Sequence, residues 1–316
     1  MLGVDIGCGA IKLALMDRRG GNWCLRAYAV QCLPKCSSDS ALLDSAAARD
    51  GLAAALKQLP GKVHKAAVAL NCNEAITRTT RLDAGLQDQD IENELAVDAD
   101  EHLPFPLSDA SMDFCRLGER VDAQGLGQEV FWVACRHERL AQRVRLLTGL
   151  GLHPAVVDLD ALALSRIAGE QSTNAPHVVL DLGASGFRLH AFAGGRLLYS
   201  RCHQLTEPMS GDVLSGSVPQ PQPDKSRATK LAQEIRRAVQ LFLISTACQE
   251  LVSISMVGGL ASLPGLAAAI SESCGRPVKL LSPPSIIRPH PRVELAQWRA
   301  LAPQLLLACA LAMREN

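Results

Sequence analysis

One short pattern occurs twice in this chain, at places separated by about half of its length, and it constrains the possible folds more than any other feature. In the first copy, the apolar segment Leu2–Ile6 reaches the turn Gly7-Cys8-Gly9, and a second apolar segment follows. In the second copy, residues 178–182 lead through the small-residue turn 183–186 into another apolar segment. Each copy predicts a strand, a tight turn and a second strand. The repetition indicates two similar domains.

The composition favours helices packed on a parallel or mixed sheet. Aromatic residues make up only 3% of the 316 residues, so the core must consist mainly of Leu, Val, Ile and Ala. Periodicity and breaker residues predict helices over 45–58, 88–102, 136–149, 160–168, 228–245, 265–273 and 299–314. They predict strands, besides the two named above, over 10–16, 23–30, 65–70, 111–117, 129–135, 154–159, 187–192, 197–202 and 253–257, with a turn over 122–127.

Charge and cysteine usage exclude several classes of protein. Lys plus Arg and Asp plus Glu are both 32, so the formal net charge is zero, which disfavours nucleic-acid binding. At this balance, Arg139, Arg143 and Arg145 are expected on a solvated helix face. The 11 cysteines form no paired Cys/His cluster, which favours reduced thiols in the cytosol. The least charged stretch, 300–313, contains Gln304 and is too short for a bilayer, so we expect no direct membrane insertion.

Two polar segments in the second half of the chain are predicted to be loops. Residues 170–176 are polar and precede the second copy of the repeat, so they divide a first domain, 1–169, from a second, 170–316. Residues 207–225 contain three prolines among Gly, Ser and Gln, which predicts a flexible loop.

The first turn has the chemistry of a phosphate-binding loop. Gly7, Cys8 and Gly9 follow a strand, and glycine lets backbone N–H groups approach phosphate oxygens closely. Asp5 can hold Mg²⁺ through water, because Mg²⁺ keeps several waters and few carboxylates. Lys12 can return from the second strand as a point charge for a phosphate. An ordinary hairpin with a buried aspartate is the alternative interpretation.

The second turn and a later glycine pair could complete such a site. Asp181 and Gly183 repeat the geometry of the first turn, and Ser185 adds a hydroxyl donor. Gly258 and Gly259 follow a predicted strand and lead into a Pro-Gly turn and a helix, where they can lie flat against an adenine and a ribose. Alone, this last segment is also a generic strand-to-helix turn.

The three segments, in this order, resemble the actin-like ATPase superfamily. Residues 5–12 look like its first phosphate loop, 181–186 like its second, and 258–266 like its adenosine motif. The resemblance implies an α/β fold in which two similar domains close around a cleft that holds ATP and Mg²⁺, with Asp5 and Asp181 near the metal. It also implies that Asp160 orients the attacking water, although an N-cap is the favoured interpretation of this aspartate.

Longer segments resemble the PilM family of type IV pilus assembly proteins, to which the FtsA family is more distantly similar. The segments are ELAVDADEHLPFPLSDASMDFCRLG at 94–118, VACR at 133–136, VDLDALAL at 157–164, EIRRAVQLF at 234–242 and the helix 302–312. The resemblance implies a small inserted α/β subdomain over about 82–156. It implies binding of the cytoplasmic N-terminal peptide of a PilN-like membrane protein, contact with other platform proteins, and a cytoplasmic location, peripheral at the inner membrane.

Several residues depart from the pattern of this family. The second hairpin has Phe187 or Arg188 where the family has threonine, and only Leu205 and Thr206 remain of a motif that normally begins with two glycines. These departures predict weak or absent ATPase activity. An interaction module that has lost nucleotide binding is an alternative. A small-molecule kinase is another, but no spare carboxylate stands out as its general base.

Overall fold

A computed structural model describes residues 1–34, 42–122, 125–168, 175–208, 225–246, 248 and 251–314. Most of the predicted loops 170–176 and 207–225 therefore lies outside the described residues. The chain forms two compact units. The main unit comprises Met1–Ala69 and Val144–Asn316, and the inserted unit comprises Leu70–Arg143.

Strands and helices are numbered in chain order. The described strands are β1 (Leu2–Ile6), β2 (Ala10–Arg19), β3 (Asn22–Cys32), β4 (Lys65–Leu70), β5 (Ala75–Asp83), β6 (Ala110–Asp122), β7 (Gly125–Arg136), β8 (His153–Leu159), β9 (His177–Leu182), β10 (Gly186–Ala193), β11 (Arg196–Gln204), β12 (Ser253–Val257), β13 (Val278–Leu280) and β14 (Ile287–Pro289). The described helices are α1 (Ala46–Lys57), α2 (Asp88–His102), α3 (His137–Thr148), α4 (Asp160–Ala168), α5 (Lys225–Ser245), α6 (Leu266–Cys274) and α7 (Leu295–Ala312).

The main unit contains two sheets with a related strand order. The first has the order β14-β3-β2-β1-β4-β8, and the second β11-β10-β9-β12-β13. In each, an antiparallel three-stranded meander is followed by a parallel strand: β4 pairs with β1, and β12 pairs with β9. The repeat in the sequence therefore corresponds to a repeat in topology.

Helices α4 and α7 lie in the core that the two sheets share. Ala14 and Met16 of the first sheet and Val179 of the second belong to one buried cluster with both helices. The opposite face of the first sheet packs on α1, which buries Leu52, and α5 and α6 cover the opposite face of the second. Ser45 caps α1 by accepting the Ala48 N–H at 3.2 Å.

Helix α7 corrects one expectation from the sequence. It begins at Leu295 and has 18 residues, so by length and composition alone it could cross a membrane. Most of it is buried inside the fold, as the core helix of a globular protein would be. The sequence stretch 300–313 was too narrow a window, because the helix begins earlier, with the exposed residues Leu295, Ala296 and Gln297, and Arg299 interrupts its apolar run.

The inserted unit is a three-stranded antiparallel sheet of order β5-β7-β6. Its core contains Ile91, Leu95 and Ala99 of α2 and the side chains of Val130 and Trp132 on β7. The predicted turn over 122–127 has the right position but is too long, because β6 and β7 pair as far as Asp122 with Gly125.

The expected solvated face of α3 is also wrong at one position. Arg145 is exposed, but the Arg143 side chain is only 5% exposed and forms an ion pair with Glu74, which is 6% exposed. A guanidinium can be buried here because a carboxylate from a residue 69 positions away meets it.

Candidate functional site

Both hairpin turns of the main unit border one narrow cleft of about 40 Å³. The turns have the same backbone hydrogen bond, because Gly7 N–H donates to Ala10 O at 3.1 Å and Gly183 N–H donates to Gly186 O at 2.9 Å. The lining residues are Asp5, Gly7, Cys8, Gly9, Ala10, Lys12, Asp181, Gly183, Ala184, Ser185, Gly186, Arg188, Cys202 and Gly259. Nine of the residues singled out in the sequence are therefore brought together.

Each hairpin carries a carboxylate directly opposite a cation. Asp5 on β1 is paired in register with Lys12 on β2, and Lys12 Nζ donates to Asp5 Oδ2 at 2.8 Å. Asp181 on β9 is paired in register with Arg188 on β10, and Arg188 Nη1 donates to Asp181 Oδ2 at 2.9 Å. The segments DIGCGAIK and DLGASGFR thus correspond position by position in sequence and register, with a cation at the end of each.

The charges of the two hairpins interact. Burial lowers the pKa of Lys12, but the carboxylates of Asp5 and Asp181 raise it by more, so the pKa lies above its ordinary value. Arg188 acts in the opposite direction. Lys12 is therefore protonated at neutral pH, and the four charged groups that line the cleft cancel formally.

Asp160 contacts Arg188 of the second hairpin but is not one of the residues that line the cleft. It begins α4, and its Oδ1 accepts the Ala161 N–H at 2.7 Å. Its Oδ2 is 3.3 Å from Arg188 Nε, and both side chains are largely buried. Asp160 thus contacts the first backbone amide of its helix and also an arginine of the cleft. Its role in orienting water stays a prediction.

The two residues of the glycine pair have different positions. Gly259 lines the cleft, whereas Gly258 packs behind the second hairpin. Gly258 has φ +93°, and a Cβ there would lie 2.6 Å from Asp181 Oδ1 and 2.6 Å from Leu182 O. Only glycine fits this position, and it allows β12 to approach the carboxylate of Asp181.

Two histidines of the second hairpin are structural. His190 is fully buried, its Nδ1 is 2.8 Å from Ser200 Oγ, and burial is the main cause that lowers its pKa to about 4. It is therefore neutral at pH 7. His203 stacks on Phe187 with ring centroids 4.9 Å apart.

The protein side chains of the cleft do not by themselves form a metal centre. Among the residues that the structure describes, no group of three or more His, Cys, Asp and Glu side chains could hold a metal ion. Asp5 and Asp181 each already contact a cation of their own hairpin. A Mg²⁺ ion at these carboxylates would need water and phosphate oxygens as its other ligands.

A comparison with known protein families identifies the family of this chain. A family model described as "Type IV pilus assembly protein PilM" matches residues 3–213 and 225–316. The chain belongs to the PilM family. The resemblance seen in the sequence is confirmed over nearly the whole chain, and this PilM-family protein is an actin-like component of type IV pilus assembly.

Several solved structures are similar to this chain, and the first of them supports the fold. A structure described as "PilM-PilN type IV pilus biogenesis complex" has a TM-score of 0.76 and 22% identity, and the match covers 99% of this chain and 97% of that one. The ethanolamine utilization protein EutJ from Carboxydothermus hydrogenoformans has a TM-score of 0.48 and 15% identity, with 99% and 88% covered. The cytoplasmic domain of EpsL from the Vibrio cholerae type II secretion system has a TM-score of 0.46 and 12% identity, with 100% and 95% covered. The PilM-family chain has the α/β, actin-like ATPase fold that its sequence predicted.

Arg188 is the site residue whose importance the sequence analysis of this PilM-family chain missed. It was noted only as a departure from threonine. Alignment of the two eight-residue segments, DIGCGAIK and DLGASGFR, would have shown that Arg188 is equivalent to Lys12. Cys202 was also missed, because only the register of β10 and β11 brings it opposite Arg188.

Proposed function

We propose that this chain binds ATP with Mg²⁺ in the cleft between its two hairpins. We propose also that it recruits the cytoplasmic N-terminal peptide of a PilN-like inner-membrane protein to the pilus assembly platform. It would then be cytoplasmic and peripheral at the inner membrane, held there by its partner and by other platform proteins. The observation that carries the nucleotide proposal is the convergence of both turns and both cations on one cleft.

The residues of the cleft fit the phosphates of a nucleotide. A Cβ on Gly7 would lie 3.7 Å from Lys12 Nζ, so glycine keeps the end of this lysine accessible. The backbone N–H groups of Cys8, Gly9 and Ser185 lie in turns that border the same space. Asp5 and Asp181 would hold Mg²⁺ through water. The ion would offset the negative charge of the phosphates, because the charges of the two aspartates and the two cations of the cleft cancel one another.

The size of the cleft has a consequence for binding. About 40 Å³ is far below the roughly 300–1,000 Å³ of pockets that hold a small-molecule ligand or cofactor. The hairpins must therefore separate to admit ATP and close on it. The same observation favours the alternative function, an interaction module whose ion pairs have replaced the nucleotide. The proposed domains, 1–169 and 170–316, would carry one hairpin each.

The nucleotide site can be tested with Lys12→Ala combined with Gly259→Asp. This variant removes a cation and adds a carboxylate beside the phosphates, so ATP affinity should fall by about a hundredfold or more. Lys57→Ala, at an exposed lysine of α1, is the matched control and should bind as the wild type does. Titration calorimetry with Mg²⁺ and with EDTA measures both affinities, and EDTA should weaken binding.

Unchanged ATP binding by the double variant would show that the assigned site is wrong. Absence of ATP binding by the wild type would favour the interaction module.

In the same samples, phosphate release should be far below the typical enzymatic range of about 1–10³ per second, because both oxygens of Asp160 are engaged. Turnover inside that range with a sugar or acetate as acceptor would favour the kinase.

The inserted unit offers edges on which an extended peptide can form a further strand. In its described residues β7 is central, so β5 and β6 are the edge strands of the sheet. Edge strands bind extended peptides through main-chain hydrogen bonds. The predicted recruiting segment, 82–156, overlaps this unit and includes β6 but not most of β5.

We expect charge at these edges to weaken peptide binding. Thr79→Asp on β5 and Val121→Asp on β6 alter exposed edge positions, and Val97→Asp alters an exposed apolar position on α2 as a control. In a pull-down with the N-terminal peptide of the PilN-like protein, at least one edge variant should bind about tenfold less, and the control should bind normally. Equal binding by all three folded variants would move the docking site away from these edges.

A further inference from the structure

The second cation of the cleft occupies a central position in its hairpin. Register places Asp181, Arg188 and Cys202 side by side on β9, β10 and β11. All three line the cleft. The Arg188 side chain is 15% exposed, which is close to the 10% of Lys12. A long basic side chain is thus buried at the bottom of a cleft and still borders its open space.

Two carboxylates on two different elements fix the position of this guanidinium. Nη1 contacts Asp181 on β9 at 2.9 Å, and Nε lies 3.3 Å from Asp160 on α4. Lys12 contacts the carboxylate of Asp5, at 2.8 Å. A guanidinium is planar and presents its donors in a fixed geometry that suits phosphate oxygens. Arg188 is therefore oriented before any ligand arrives.

We infer that Arg188 is a second phosphate-binding residue, so that the cleft holds a polyphosphate chain by one cation from each hairpin. This inference rests on the proposed nucleotide binding. A threonine at this position would offer a hydroxyl, whereas this chain offers a charge. The ligand class is a nucleoside di- or triphosphate, and inorganic tripolyphosphate carries the same recognised groups.

The charges of the cleft give the inference a distinctive consequence. Without Arg188, the buried carboxylates of Asp181 and Asp160 lose their cation, and the lining of the cleft gains one net negative charge beside the phosphates. Removal of Arg188 should then weaken binding by more than one lost hydrogen bond. Removal of the Asp181 charge as well returns the lining to formal neutrality and should restore part of the affinity when EDTA has removed the Mg²⁺ that Asp181 would hold.

The test uses the full chain and four variants. Arg188→Met removes the charge and should weaken ATP binding by about tenfold to a hundredfold, while Arg188→Lys, which keeps the charge without the guanidinium geometry, should weaken it by less than Arg188→Met does. In EDTA, Arg188→Met with Asp181→Asn should bind ATP more tightly than Arg188→Met alone. Arg201→Met, at an exposed position of β11, is the control. Titration calorimetry gives the affinities, and inorganic tripolyphosphate should compete with ATP in the wild type and compete less in Arg188→Met.

The outcomes separate this inference from the function on which it rests. If the wild type binds ATP and Arg188→Met binds it equally well, the inference is overturned while the proposed function stands. If, in EDTA, the double variant is as weak as Arg188→Met, then the charge of Arg188 does not act on the phosphates, which also overturns the inference. If the wild type binds neither ATP nor tripolyphosphate, both proposals fail. The double variant lacks an unpaired Asp181 carboxylate, so it provides a folded reference should Arg188→Met be unstable.

Discussion

Glu74→Ala is expected to lower the free energy of unfolding of the inserted unit by about 3–5 kcal/mol. Glu74 Oε2 accepts a hydrogen bond from Arg143 Nη2, and both side chains are about 95% buried. The same oxygen accepts the Asn71 N–H at 3.1 Å. The substitution leaves a buried guanidinium without its carboxylate, and the cost of that charge exceeds the value of the lost hydrogen bond.

The measurement can isolate the inserted unit. The chain has three tryptophans, and Trp132 is the one in the core of this unit, so urea unfolding followed by fluorescence in a Trp23→Phe, Trp298→Phe background reports on it. Arg120→Ala is the matched control, because Arg120 pairs with Glu129 at 3.2 Å but is 63% exposed. It should cost less than about 1 kcal/mol.

A double substitution distinguishes a buried ion pair from two independent contacts. Glu74→Leu with Arg143→Leu removes both charges and fills the space with apolar atoms, so it should cost much less than the sum of the two single changes. Additive effects, or a Glu74→Ala cost close to that of Arg120→Ala, would contradict the importance given to this pair.

The sequence predicted this pair poorly for a clear reason. Arg143 lies on a helix with two other arginines, and periodicity within one helix contains no information about a carboxylate 69 residues away. The same limit explains the missed strand β5, whose sequence AITRTTRLD has polar side chains on both faces. Strands β13 and β14 have three residues each, too few for any period to appear.

The candidate site was easier to predict, because its chemistry is local in sequence. Asp5, Gly7 and Lys12 lie within eight residues, and one antiparallel hairpin brings Asp5 and Lys12 into register. The sequence could not predict the contacts between separate elements, such as that of Asp160 with Arg188 or of Gly258 with Asp181. These contacts depend on how α4 and β12 pack against the second hairpin.

Gly3→Ala is expected to destabilise the main unit by at least about 3 kcal/mol. Gly3 is in β1, on the face that packs against α7, and a Cβ there would lie 1.8 Å from Ala308 O and 2.9 Å from Ala312 N. These are backbone atoms in the buried C-terminal half of α7, so no side-chain rotation relieves the overlap. Either α7 moves away from the sheet or β1 bends.

The matched control is the same substitution four residues later. A Cβ on Gly7 would meet Ala10 O at 3.5 Å and Lys12 Nζ at 3.7 Å, which are ordinary contact distances. Gly7→Ala should therefore cost little stability, and thermal unfolding of the two variants compares them directly. Similar melting temperatures for the two variants would show that α7 can accommodate a methyl group at Gly3, which would contradict the prediction.

A nucleotide assay corrected for folded protein gives a second comparison of the two glycine variants. A methyl group at Gly7 adds bulk beside Lys12 and should weaken ATP binding although the fold is intact. Helix α7 also accepts the Gly258 N–H at Pro303 O, 2.8 Å away, and Gly258 packs on Asp181. A displaced α7 in Gly3→Ala would thus disturb both hairpins at once, because β1 carries Asp5 and the Gly258 contact supports Asp181. Loss of affinity in Gly3→Ala should therefore accompany loss of stability, whereas in Gly7→Ala it should occur alone.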